Sequence, residues 1–246
     1  MVDRRIVLVT GAARGIGHGI AAAFADGGDK VVLVDRSDEV GAAAQALGGT
    51  GYVVDITDED QVTALIDQVS AREGGIDVLV NNAAISVKRD GRSPRVVETT
   101  LEDWNRTLAV NLTGAFLMAR ACLPVMARRG GGRIVNIGSQ GGRSKPEATG
   151  SAYAASKAGL IGLTRALAAE GAADGITANY VAPGVVETPM MGAFTAETQA
   201  RVVGRIPVGR IGQPRDIAAA ALFLASLQAE FITGAILDVN GGMFMP

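Results

Sequence analysis

The sequence predicts an α/β fold, a doubly wound parallel sheet of about seven strands with helices on both faces. Three observations predict it. Short β-branched runs alternate with longer alanine-rich stretches along the 246 residues. The short runs are nearly continuous in apolar residues, which suits strands covered on both faces. The first run leads into a glycine cluster and then a helical pattern, as at the first crossover of such a sheet.

The elements follow in order. RRIVLVT at 4–10 reads as the first strand, with a helix near 15–27. KVVLVD at 30–35 is the second strand, followed by a helix near 38–47. GYVVD at 51–55 and a helix near 58–73 come next, then IDVLVN at 76–81. A long apolar helix near 101–128 precedes GRIVNIG at 132–138. The last elements are a helix near 151–173, ITANYVAPG at 176–184, a helix near 213–227 and AILDVNGG at 235–242. No linker, repeat or low-complexity tract divides the chain, so residues 1–246 are expected to form one Rossmann-like domain. Segments 84–100 and 184–212 are long for connections. Loops after strand C-termini surround the ligand crevice in this architecture, and 184–212 is read as a substrate-binding lid.

Composition narrows the function. A net charge of −2 gives no reason to expect nucleic acid as a partner. Apolar runs break before 18 residues, so no membrane span is expected. The N-terminus MVDRRIVLVTG lacks the long apolar core of a signal peptide, and a cytoplasmic location is expected. Cys122 is the sole cysteine, which excludes an internal disulfide and a thiolate metal cluster. No metal is expected. His18 is the sole histidine and follows Gly17 at a helix start. A Ser-His-Asp hydrolase has almost nothing to work with.

The strongest local signal is TGAARGIGHGI, with Gly11, Gly15 and Gly17 spaced G-x3-G-x-G. Glycines let the chain turn tightly and let a phosphate approach the N–H groups at a helix start. Asp35 ends the second strand, 20 residues past Gly15. A carboxylate there can accept hydrogen bonds from ribose hydroxyls and repels a 2′-phosphate, which favours NAD over NADP. Arg14 and Arg36 stand close enough in sequence to pair with a 2′-phosphate instead.

SAYAASKAG places Tyr153 four residues ahead of Lys157, on one helical face. With the three glycines, Asn81-Asn82-Ala83-Ala84, Asn111, Ser139 and Pro183-Gly184, the chain resembles the short-chain dehydrogenase/reductase family, essentially over its whole length. The Tyr-x3-Lys pair, 14 residues after a serine and in this order with the other motifs, is highly specific. Ala84 replaces a glycine often found in the family. The resemblance implies that Tyr153 is the acid/base, that Ser139 steadies the substrate oxygen, and that Lys157 reaches the nicotinamide ribose. It also implies that Asn111 holds a water linking Lys157 to solvent. An ammonium near the phenol is expected to lower its pKa toward the working pH. The resemblance further carries cofactor contacts onto Ile16, Asp55, Ile56, Asn81, Ala83, Pro183, Gly184, Val186 and Thr188. For Asp55 a plain helix cap is the competing reading. It implies a homotetramer, built through the helices near 101–128 and 151–173 and the last strand.

The substrate is less legible. Lys88, Arg89, Arg92 and Arg95, with Arg143 and Lys145, could attract an anionic substrate or simply be solvated. Gln140 and Arg143 follow the serine, and Met190, Met191 and Phe194 lie in the lid segment. The first expectation is NAD-dependent oxidation of a secondary alcohol, a polyol or an anionic hydroxy compound. The alternatives are 3-oxoacyl-[acyl-carrier-protein] reduction, with Arg128, Arg129 and Arg133 docking an acidic carrier, and a sugar or steroid dehydrogenase. A non-catalytic nucleotide-binding regulatory protein is a distant one.

Overall fold

The computed structural model describes residues 4–89, 91–144, 149–189 and 195–245. Its strands are β1 (Ile6–Thr10), β2 (Lys30–Asp35), β3 (Thr50–Val53), β4 (Val78–Asn81), β5 (Gly132–Ile137), β6 (Ile176–Pro183) and β7 (Ile236–Val239). The α-helices are α1 (Gly15–Asp26), α2 (Glu39–Ala46), α3 (Glu59–Glu73), α4 (Leu101–Leu108), α5 (Gly114–Arg128), α6 (Ser151–Gly171), α7 (Ala196–Val203) and α8 (Pro214–Leu224). The strands form one sheet in the order β3-β2-β1-β4-β5-β6-β7, and every neighbouring pair is parallel.

Strand geometry explains the continuous apolar runs, because successive side chains point to opposite faces and both faces are covered. Ile6 and Leu8 enter one core layer with Val62 and Leu65 of α3 and Leu117, Met118 and Cys122 of α5. Val7 and Val9 enter the other with Ile20 and Phe24 of α1 and Ile217 and Ala221 of α8. The strand order reverses between β1 and β4. Their C-terminal ends therefore part to leave a crevice, and the glycine cluster and Asn81–Ala84 sit at its rim.

The structure departs from the sequence reading in three places. The helix near 101–128 is interrupted by a π-helical turn at Ala109–Thr113, where the side chain of Asn111 is held by neighbouring segments. The segment 184–212 contains α7, capped by Thr195, whose side chain accepts from Thr198 N. The helix near 213–227 ends at Leu224, and a 3₁₀ turn follows at Leu227–Ala229. The stretch Leu101–Arg128 is long and apolar enough to cross a membrane by length and composition. Its apolar residues are instead used inside the fold: Leu117, Met118, Ala119, Cys122 and Met126 all pack into the core layer.

Candidate active site

The glycine cluster is built for close approach. Gly11 and Gly15 both have φ +64°, a region that favours glycine. A Cβ on Gly11 would meet Ala83 Cα at 2.7 Å, and one on Gly17 would meet Gly11 O at 2.3 Å. Asn82 Nδ2 donates to the carbonyls of Thr10 (2.9 Å) and Gly11 (3.0 Å). Thr10 Oγ1 accepts from the amides of Asn82 (3.0 Å) and Ala83 (3.1 Å). The loop is thus pinned to the end of β4. Helix α1 starts directly after it, with no side-chain cap from Arg14 and no acid in its first turn. Its N-terminal amides keep their partial positive charge for an anion. Thr188 and Pro189 stand 3.7–3.8 Å from the position of a Cβ on Gly15, so the loop after β6 reaches across the helix start. This cradle fits the pyrophosphate of a dinucleotide.

The carboxylate of Asp35 is fixed by two backbone amides. Its Oδ2 accepts from Ala13 N at 3.0 Å and its Oδ1 from Ser37 N at 3.1 Å. Each oxygen keeps a lone pair for a further donor. Arg14 lies 3.8 Å from Glu39, with both side chains exposed, and Arg36 is exposed. Asp55 does not cap a helix. Its Oδ1 accepts from Thr57 N (2.9 Å) and Thr57 Oγ1 (2.7 Å), while Asp58 caps α3 through Gln61 N. Ile56 is buried, and a Cβ on Gly114 would meet its Cδ1 at 2.6 Å. Its side chain therefore belongs to the core, which leaves only its backbone for a nucleotide. The side chain of Asn81 also turns inward, donating to Asn136 Oδ1 at 2.9 Å. Ile16 packs at the edge of the α1 core layer. Pro183 ends β6 and Val186 is buried beyond it, bridging to Gly212. A Cβ on Gly184 would meet Asn240 Cα at 2.9 Å.

Three groups converge beyond the C-terminal end of β5. Ser139 opens a short 3₁₀ turn, and its Oγ accepts from Gly141 N at 3.0 Å. From the first turns of α6, the hydroxyl of Tyr153 shares a hydrogen bond with that of Ser139. Lys157 is 2% exposed, and its Nζ donates to Ile137 O at 2.8 Å. The same ammonium lies 5.8 Å from the centroid of the Tyr153 ring. A shallow depression borders Tyr153 and is also lined by Ser86, Val87, Thr99 and Ser151.

The titration of the pair differs from the sequence expectation. Burial raises the Tyr153 phenol above its ordinary value, and the Ser139 hydrogen bond offsets this only in part. Burial pulls the Lys157 ammonium down to about 8. Desolvation is the leading cause for both groups, and the ammonium itself donates to a backbone carbonyl of β5. Asn111 is 1% exposed. Its Oδ1 accepts from Ile85 N (2.8 Å), and its Nδ2 donates to Ile85 O (3.0 Å) and Ser156 Oγ (3.1 Å). Its side chain thus ties the start of the loop after β4 to α6, one residue before Lys157.

The basic loops carry compensated charge. Arg89 pairs with Asp103 at 2.5 Å and Arg92 with Glu98 at 2.7 Å. The hydrogen bond from Arg92 pulls Glu98 down to about 2. Arg143 pairs with Asp238 on β7 and stacks 5.5 Å over the Phe244 ring. It clasps the C-terminal strand and tail, so its charge is not left for a substrate. Arg129 binds Asp77 and Gly74 O. Arg133 binds the carbonyls of Gly132 and Gly175. Both sit at the N-terminal edge of the sheet, opposite Ser139. Among the described residues, the buried Oε1 of Gln140, beside Ser139, has no hydrogen-bond partner. Lys145, Met190, Met191 and Phe194 lie outside the described residues.

Sequence reasoning missed three residues that shape this site. Thr10 and Asn82 stand inside quoted motifs, and the glycines drew attention away from them. Tyr180 lies inside a strand pattern that reads only as core.

The chain is similar to several known proteins over nearly its whole length. A family model described as "Enoyl-(Acyl carrier protein) reductase" matches residues 11–244. The chain is 42% identical to the 3-oxoacyl-[acyl-carrier-protein] reductase FabG of Vibrio cholerae, covering 99% of each chain. It is 40% identical to cis-4-hydroxycyclohexanecarboxylate dehydrogenase of Sinomonas cyclohexanicum, covering 97% of this chain and 96% of that one. A solved 3-oxoacyl-[acyl-carrier protein] reductase with bound NAD from Brucella melitensis superposes with a TM-score of 0.91 at 37% identity, over 100% of this chain and 93% of the other.

Proposed function

Because the chain belongs to the short-chain dehydrogenase/reductase family, oxidoreductases of CH–OH and ketone groups, we propose that it reduces 3-oxoacyl thioesters to 3-hydroxyacyl thioesters with NADH. The observation that carries this reading is the full-length 42% identity to a 3-oxoacyl-[acyl-carrier-protein] reductase. The convergence of Ser139, Tyr153 and Lys157 supports it. The relatives favour an acyl substrate over the polyol expected first.

Gly11, Gly15, Gly17 and the start of α1 would hold the pyrophosphate, Asp35 the adenosine ribose, and Thr188 the carboxamide end. A nicotinamide held there would supply the hydride. Tyr153 gives a proton to the ketone oxygen, and Ser139 hydrogen-bonds that oxygen as negative charge develops on it. Lys157, held against Ile137 O, supplies the positive charge beside the phenol's ring. Asn111 holds the helix segment next to Lys157 through Ser156. The choice of NADH rests on Asp35, whose carboxylate both backbone amides keep in place and whose charge repels a 2′-phosphate.

A second reading is NAD-linked oxidation of a carboxylated secondary alcohol. The Sinomonas relative, named for a hydroxycyclohexanecarboxylate, favours it. Acetoacetyl-CoA with NADH or NADPH, and cis-4-hydroxycyclohexanecarboxylate with NAD or NADP, separate the readings. Turnover of the thioester with NADH is the result expected. Turnover of the cyclic acid alone would replace the first reading with the second, and inactivity on both would end both.

We also propose that the chain is one domain with a lid at 184–212, and that it works as a cytoplasmic homotetramer. Exposed Val96, Val97 and Leu101 on one side, and Leu227 and Phe231 on another, are surfaces that suit burial between subunits. A monomer mass by light scattering would remove the tetramer.

A further inference from the structure

We propose that Tyr180 is a positioning residue, whose buried phenol sets Ser139 against the helix bearing Tyr153 and Lys157. The proposal rests on the reading that these three carry the chemistry. Ser139 and Lys157 arrive on different elements, the end of β5 and α6, and something must hold the two in register. Tyr180, on β6 opposite Asn136, is fully buried among Ala115, Leu160 and Ala182. Its Oη accepts the Ser139 amide at 2.8 Å and has the carbonyls of Ser139 (3.1 Å) and Lys157 (3.2 Å) within reach of its single proton. One oxygen therefore ties the backbone of both elements together.

The surrounding backbone is shaped to this ring. A Cβ on Gly138 would lie 1.7 Å from Tyr180 Cζ. A Cβ on Gly142 would lie 2.7 Å from the carbonyl carbon of Lys157. The segment from Gly138 to Gly142 is thus pressed between the phenol and α6, with Ser139 in the middle. An apolar side chain could fill this space equally well. A hydroxyl buried here is costly unless it is bonded, and this one both accepts and donates. The oxygen, rather than the ring, is what sets the position of Ser139.

Tyr180→Phe keeps the ring and removes only the oxygen. The expected result is a kcat at least 10-fold lower, with the NADH Kd and KM within twofold of wild type. The alkaline rise of the oxidation rate should also move to higher pH, because a displaced Ser139 no longer supports the Tyr153 phenolate. Unchanged kcat and pH profile would overturn the proposal. So would loss of NADH binding in step with activity, which would mark a merely structural role. If Tyr180→Phe does not fold, the double variant Gly138→Ala with Tyr180→Val removes the hydroxyl and puts a methyl where the ring's Cζ stood. It should be equally slow, and wild-type turnover from it would overturn the proposal. Tyr153→Phe runs beside them. If that variant stays active, the underlying reading fails; if it is inactive while Tyr180→Phe matches wild type, only the role of Tyr180 fails.

Discussion

Lys157→Met is expected to stabilise the nucleotide-free protein while abolishing turnover. Lys157 is 2% exposed, and burial lowers its ammonium from an ordinary 10.5 to about 8. That difference corresponds to about 3 kcal/mol of folding free energy opposed by the buried charge. Methionine matches the length of the stem and is apolar. It forfeits the charge-assisted hydrogen bond to Ile137 O, a loss of about 2 kcal/mol. The net gain at pH 7 is about 1 kcal/mol, or a Tm higher by about 2–4 °C for a chain of this size. The folded pKa lies below the unfolded one, so the unfolded state binds more protons between pH 8 and 10.5. Wild-type stability therefore rises through that window, and the advantage of the variant fades. Thermal melts of both proteins without nucleotide, at pH 7, 8, 9 and 10, would measure this. An advantage of equal size at pH 7 and pH 10, or a variant less stable at pH 7, would refute the reasoning.

Tyr153→Phe should lower kcat by about 10²–10⁴-fold while leaving NADH binding intact, read by turnover and by nucleotide fluorescence titration. Asp35→Ala should narrow the preference for NAD over NADP by at least about tenfold in kcat/KM, because the repulsion of a 2′-phosphate is gone; an unchanged ratio would mean that another group reads the ribose. Gly17→Ala should weaken NADH binding strongly and cost about 1–3 kcal/mol, because its Cβ would stand 2.3 Å from Gly11 O. Urea unfolding and NADH titration together check it.

The fold was legible because its signals are local and repeated. Each strand announces itself by a short apolar run, and parallel pairing buried on both faces makes such runs obligatory. The glycine cluster was legible for a related reason: only glycine fits where Gly11 and Gly17 approach Ala83 and Gly11 O. Helix α7 was hidden in the segment 184–212, although Thr195, Ala196 and Glu197 carry the start signal that the structure uses. The break at Ala109–Thr113 left no sequence signal. The partners of Asn111 within it, Ile85 and Ser156, are distant in the chain and meet it only in three dimensions.

Charge was the hardest property to read, and the reason is general. A run such as Lys88–Arg95 shows its cations in sequence but not the distances to their acids. Asp103 and Glu98 stand 14 and 6 residues from Arg89 and Arg92, and each closes an ion pair. Asp238 stands 95 residues from Arg143 and closes another. The pair at Tyr153 and Lys157 makes the same point from the opposite side. Helical spacing set them on one face, as the sequence implied. What spacing could not supply was the direction of the ammonium, which is fixed by Ile137 O on β5. Nor could spacing supply the burial of the phenol, which sets the sign of its shift. Identities and spacings therefore locate this chemistry, while the poise of its groups is decided by partners that only the folded chain brings near.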